Sequence, residues 1–217
     1  MALAEQVYEF YIPSISRMGI GAVKEVGAKA KFLGGSKALL VTDKGLSKSG
    51  MADQIKKLLE DAGVTTVIFD GAEPNPTDLN IRAGLKAYQD NKCDLIVTLG
   101  GGSSHDTGKG IGIVASNGGD IREYAGIDTV AKPLPPLIAI NTTAGTASEM
   151  TRFAVITNTD THVKMIFATP RITPTIAIND PVLMVGMPPA LTAATGMDAL
   201  THAIEAYVAA LMNPVTD

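Results

Sequence analysis

Two rhythms of apolar residues alternate along this 217-residue chain. Residues 37–42 (KALLVT), 64–69 (VTTVIF), 94–99 (DLIVTL) and 136–141 (PLIAIN) are short runs dominated by apolar side chains, and they read as strands. The third is almost wholly apolar, as a strand buried on both faces must be. Between the runs, apolar residues recur every three or four positions. Over 51–62, Ile55, Leu58 and Leu59 make one helical stripe, with Gly63 placed to end it. The turn 74–77 (PNPT) leads into a second helix, from about 78 to 89, whose apolar positions are Leu79, Ala83, Leu85 and Tyr88. A β-α-β-α-β order predicts an α/β fold with a Rossmann-like, doubly wound parallel sheet. Shorter β-like pieces follow at 153–157, 164–168 and 175–178. From Pro188 the pattern changes, and 190–212 is alanine-rich and helical, with Leu200, Ile204, Tyr207 and Leu211 on one face. A domain boundary is expected near 180–187, dividing the chain into 1–183 and 184–217.

Composition narrows the class. At 46% hydrophobic residues, the chain can bury a substantial core. A net charge of -4 with interspersed signs argues against a nucleic-acid binder. No apolar run approaches the ~20 residues of a membrane span. The first eleven residues carry Glu5 and Glu9 and no basic stretch, unlike a secretory signal. Cys93 is the single cysteine, so no internal disulfide is possible and a cytoplasmic setting is expected.

Candidate chemistry sits where strands end. Gly100-Gly101-Gly102-Ser103-Ser104 closes one strand and opens a helix running to about Ala115. Glycines let a phosphate approach the backbone, and free N–H groups at a helix start stabilise its charge. The spacing is not G-x-G-x-x-G. The competing reading is a structural turn with Ser103 as N-cap and Asp106 completing a capping box. A second loop, 142–148 (TTAGTAS), offers the hydroxyls of Thr142, Thr143 and Thr146 after another strand. Two such loops on neighbouring strand ends favour a shared dinucleotide. Asp43 ends what reads as the first strand, where an acid can accept bonds from ribose hydroxyls; capping a turn is equally open to it. Ser103, Asp106 and Lys109 fall at i,i+3 spacing on one side of a helix, suited to diphosphate, ribose or nicotinamide contacts, or to a solvated ion pair. His105 and His162 stand alone in polar stretches and are not expected to be ligands. Lys164 begins a β piece.

Asp198 and His202 are four residues apart, so on a helix both project from one face and can grip one divalent cation. Two ligands do not complete a site, and an i,i+4 ion pair explains the same spacing. Glu205 lies on the same side and can serve as an outer partner.

Taken together, the stretches ALLVTDKGL (38–46), EPNPTD (73–78), CDLIVTLGGGSSHDTGKGIGI (93–113), INTTAGTASEMTR (140–152) and INDPVLMVGMPPALTAATGMDALTHAIEAY (178–207) resemble the iron-containing (group III) alcohol dehydrogenases, in the branch of the 1,3-propanediol and NAD-dependent methanol dehydrogenases. The resemblance implies a Rossmann-like domain followed by an all-helical one, of which this chain would hold the first helices. It implies NAD as coenzyme and a divalent metal, usually iron and in some members zinc, held by one aspartate and three histidines. Asp198 and His202 match the first two ligands; no His or Cys follows His202. Asp43 matches the acid that meets the adenosine ribose and disfavours NADP. Asn75 matches the turn near the adenine-side ribose. Gly101, Gly102 and Ser103 match the pyrophosphate loop, and Thr142, Thr143 and Thr146 the second coenzyme loop. Asp106, Lys109 and Lys164 match polar positions around the nicotinamide and its ribose, with Asp106 and Lys164 in catalytic positions. The implied reaction is hydride transfer between a primary alcohol or diol and NAD by a homo-oligomer, the metal polarising the alcohol oxygen. With half the ligands, this chain is expected to bind metal weakly and turn over poorly. The other reading is a non-catalytic nucleotide-binding fragment or truncated product.

Overall fold

The computed structural model describes residue 7 and residues 9–209. In chain order the elements are β1 (Ile15–Met18), α1 (Val26–Phe32), β2 (Lys37–Asp43), α2 (Lys44–Lys48), α3 (Met51–Asp61) and β3 (Thr65–Ala72). There follow α4 (Asp78–Asp90), β4 (Leu95–Gly100), α5 (Gly102–Asn117), β5 (Gly126–Ile127) and β6 (Leu137–Asn141). Then come β7 (Phe153–Thr157), β8 (Lys164–Ala168), β9 (Ile176–Asn179) and α6 (Pro189–Val208). The helical reading of 190–212 extends beyond the described residues at its far end.

The main sheet has six parallel strands in the order β1-β9-β6-β4-β2-β3. Its central strands alternate between two cores. Leu39, Val41 and Ile96 join Ile111 of α5 on one face, whereas Ala38, Leu40, Val97 and Leu99 join Ala52, Ile55 and Leu59 of α3 on the other. Each such leucine or isoleucine, fully withdrawn from water, contributes about 1.5–3 kcal/mol. A smaller sheet, β5-β8-β7, is closed by an antiparallel β7–β8 pair.

One sequence expectation is corrected here. Asp43 does not end the first strand, because β1 precedes β2 and pairs with β9 far along the chain, Ile15 opposite Ile176. The chain leaves β2 outward to β3 and returns to β4 on the opposite side of β2. This reversal puts a crevice at the carboxyl ends of β2 and β4, where open α/β sheets bind ligands. No helix among the described residues is long and apolar enough to cross a membrane.

Candidate functional site

Three adjacent strands deliver their carboxyl ends to this crevice: Asp43 ends β2, Gly100 ends β4 and Asn141 ends β6. Gly100 has φ +149°, and a side chain there would collide with Ser104. The turn therefore needs glycine, and it throws the chain directly into α5. Here the capping-box reading fails. Gly101 is the N-cap, and no side chain bonds the first N–H groups of this 16-residue helix. They stay available for an anion, in the positive field of the helix start.

The second loop folds onto the first. A Cβ on Gly101 would lie 2.8 Å from Thr143, and one on Gly102 2.9 Å from Thr146. Asn141 sets this spacing: its amide donates to Thr143 O (2.7 Å) and Asn179 Oδ1 (3.0 Å), and its oxygen accepts from Thr143 N (3.1 Å). Asn141 and Asn179 face each other in register at the ends of β6 and β9. Sequence reading passed over both, although the tetrapeptide Ile-Ala-Ile-Asn occurs at 138–141 and again at 176–179.

The helix face after the loop is not solvated. Lys109 is fully buried, and its Nζ donates to the carbonyls of Ser148 (2.7 Å), Thr151 (3.0 Å) and Phe153 (2.6 Å). This corrects the reading of Lys109 as part of a solvated ion pair: its ammonium is turned to backbone carbonyls inside the protein. Burial lowers it to about 8, opposed by the Asp106 and Glu149 carboxylates. Asp106 does face the cleft, with Oδ1 accepting from Ser148 Oγ (2.8 Å) and Oδ2 from Val155 N (3.0 Å). Burial pushes the Asp106 carboxyl up, and does the same to Glu149, whose Oε2 is buried without a partner. His105 is also buried. Its Nδ1 lies 2.7 Å from Thr98 Oγ1, and burial lowers its pKa to about 3, so the ring is neutral.

A cleft of about 570 Å³ opens in front of these groups. It brings together Gly102, Ser103, Asp106 and Thr146 with Asn75 and Lys164, and Asp198 and His202 close its far side. Asn75 sits at φ +54° in the turn after β3, and Lys164 pairs in register with Thr157. Asp43, Gly101, Thr142, Thr143 and Lys109 stand outside the lining. Asp43 caps α2, its Oδ1 accepting from Gly45 N (2.7 Å) and Leu46 N (3.0 Å).

Asp198 and His202 do share one face of α6, with Oδ1 and Nε2 3.7 Å apart and both side chains about half exposed. That helix touches the second loop, since a Cβ on Gly145 would lie 3.1 Å from Asp198 Oδ2. No group of three or more His, Cys, Asp or Glu able to hold a metal occurs among the described residues. Two donors fall short of the three or four that hold a cation, so the described residues do not by themselves form a metal site.

Comparison with known proteins gives a family. The profile described as iron-containing alcohol dehydrogenase matches residues 13–181, and that of the Fe-containing alcohol dehydrogenase C-terminal family matches 192–217. The chain is 54% identical to 1,3-propanediol dehydrogenase of Klebsiella pneumoniae, over 99% of its own length and 56% of the relative's. It is 52% identical to NAD-dependent methanol dehydrogenase of Bacillus methanolicus, over 96% of itself and 55% of that protein. The crystal structure of a 1,3-propanediol oxidoreductase superimposes with a TM-score of 0.95 at 55% identity, covering 98% of this chain and 56% of that one. The chain thus spans little more than half the length of these relatives.

Proposed function

Since the chain belongs to the iron-containing alcohol dehydrogenase family, we propose that it binds NAD at the β2–β4 crevice and serves hydride transfer between a small primary alcohol or diol and its aldehyde. The observation that carries this reading is the pair of interlocked loops, one of them a helix start without a side-chain cap, opening on the cleft. Gly101, Gly102 and Ser103 take the diphosphate on backbone N–H groups. Thr143 and Thr146 wedge against the glycines, and Thr142 flanks them. Asp43 retains an oxygen free of the α2 cap, suited to a ribose hydroxyl and repulsive to a 2′-phosphate. Asn75 closes the turn side of the cleft.

NAD, when bound, supplies the hydride acceptor: alcohol and NAD+ give aldehyde, NADH and a proton. Asp106 and Lys164 flank the end of the cleft assigned to the nicotinamide. Asp198 and His202 contribute two donors toward a divalent metal, iron or zinc. In the same reading the two-domain division falls between 183 and 184, supported by the absence of buried residues in α6. A cytoplasmic location fits the buried free thiol of Cys93. Homo-oligomer formation belongs to the same reading.

The two-donor count favours one alternative, a nucleotide-binding module without turnover. NADH titration, followed by nicotinamide fluorescence, and alcohol-dependent NADH formation with 1,3-propanediol or methanol separate the readings. Saturable NADH binding with alcohol-dependent reduction is the expected result. Binding without reduction, with iron or zinc supplied, leaves the alternative, and absence of binding overturns both.

A further inference from the structure

We propose that Lys109 and Ser148 are positioning residues that fix the Asp106 carboxylate in the cleft. This assignment rests on the reading of Asp106 as a group facing the coenzyme. An ammonium donates and cannot accept. The Nζ of Lys109 lies 3.1 Å from Ser148 Oγ, so that contact uses an oxygen lone pair. The hydroxyl proton is left to point at Asp106 Oδ1, 2.8 Å away. The carbonyls of Ser148, Thr151 and Phe153 take the three N–H donors that only the charged form has, and Ser148 Oγ shares the one aimed at the carbonyl of its own residue. The second carboxylate oxygen is held by Val155 N of β7. Asp106 is thus oriented from two elements, while its remaining lone pairs face the cleft. Lys109 does this without touching the cleft: it is fully buried and does not line it.

The charged groups around Asp106 are Lys109 on its own helix, Glu149 beside Ser148, Lys164 of β8, and Asp198 with His202 of α6 across the cleft. Ser148→Ala removes the hydroxyl link and leaves all of these, and the carbonyl anchors of Lys109, in place. A hydrogen bond to the ionised form favours that form, so its loss raises the proton affinity of the carboxyl.

The test is the 13C titration of the Asp106 carboxyl carbon, assigned with Asp106→Asn, in the full chain with and without NADH. Ser148→Ala is expected to move the midpoint up by about one pH unit. Ser148→Thr, which keeps a hydroxyl, is expected to bring it back. Lys109→Met is expected to move it the same way as Ser148→Ala; should that variant not fold, the Ser148 pair decides alone. An unmoved midpoint in Ser148→Ala, or a shift that Ser148→Thr does not reverse, overturns the assignment. A wild-type chain that fails to bind NADH overturns the coenzyme reading instead, and the Ser148 shift stays readable in that case.

Discussion

The loops at the carboxyl edge of the sheet and helix α6 face each other across one cleft, yet they are built in opposite ways. On the sheet side, Ser104, His105, Thr107 and Lys109 are all buried, and Gly102 lies within a methyl group's width of Thr146. On the helix side no residue is buried, and Leu200, Ile204 and Tyr207 are more than half exposed. One wall is fixed by interior packing, and the other rests on it through little more than the Thr195–Asp198 contact with Gly145. The geometry of the two loops is therefore a property of the sheet, while the placement of Asp198 and His202 depends on whatever else α6 packs against.

Gly102→Val attacks the packed wall directly. Its branched side chain would drive Thr146 out of the loop and cover the free N–H groups. NADH affinity should fall about 100-fold (about 3 kcal/mol) by fluorescence titration. Retention of affinity would mean that the interlock is not what holds the coenzyme.

A second measurement tests the buried histidine of the packed wall. His105 takes its proton near pH 3 in the folded chain, against 6.5 ordinarily. Between those values the unfolded chain binds the extra proton. Stability from this source is therefore complete above about 6.5 and drains as pH falls, by up to ~1.4 kcal/mol per unit. The raised carboxyls of Asp106 and Glu149 work against this slope, so the informative quantity is the difference between variants. Urea midpoints at neutral pH and about pH 5 should separate less in His105→Gln than in wild type.

The smallest effects belong to α6. Asp198→Ala, His202→Ala and Ile204→Lys should each shift unfolding free energy by less than about 0.5 kcal/mol, as exposed positions do. NADH affinity should stay within about twofold of wild type. A large loss in Ile204→Lys would show that this face is covered in solution, and the contrast between the walls would dissolve.

What could be read from the chain follows the same division. The central strands announced themselves because two-sided burial demands unbroken apolar runs, as in Leu95–Gly100, and α3 because its stripe meets one face of the sheet. β1 did not: Ile15–Met18 carries Ser16 and Arg17, and its partner β9 lies far off in sequence. The two interlocked loops were legible through glycine and threonine at strand ends. The surroundings of Lys109 were not, since a lysine on a helix reads as solvated and its acceptors are backbone carbonyls, which leave no mark in sequence. Asn141 and Asn179 left a mark, the repeated Ile-Ala-Ile-Asn, that only strand adjacency makes meaningful.

The lysine strap also bears on the order in which this chain assembles. It joins positions 39 to 44 residues apart and draws on a helix, a turn and the start of a strand. That separation matches the β4–β6 pairing, where Ile96 sits opposite Leu137, and is far shorter than the β1–β9 pairing of Ile15 with Ile176. Closure entropy grows with loop length, so the strap costs no more to close than the central sheet and less than the edge strand β1. Amide protection of residues 148–153 during refolding is therefore expected no later than that of Ile15–Met18.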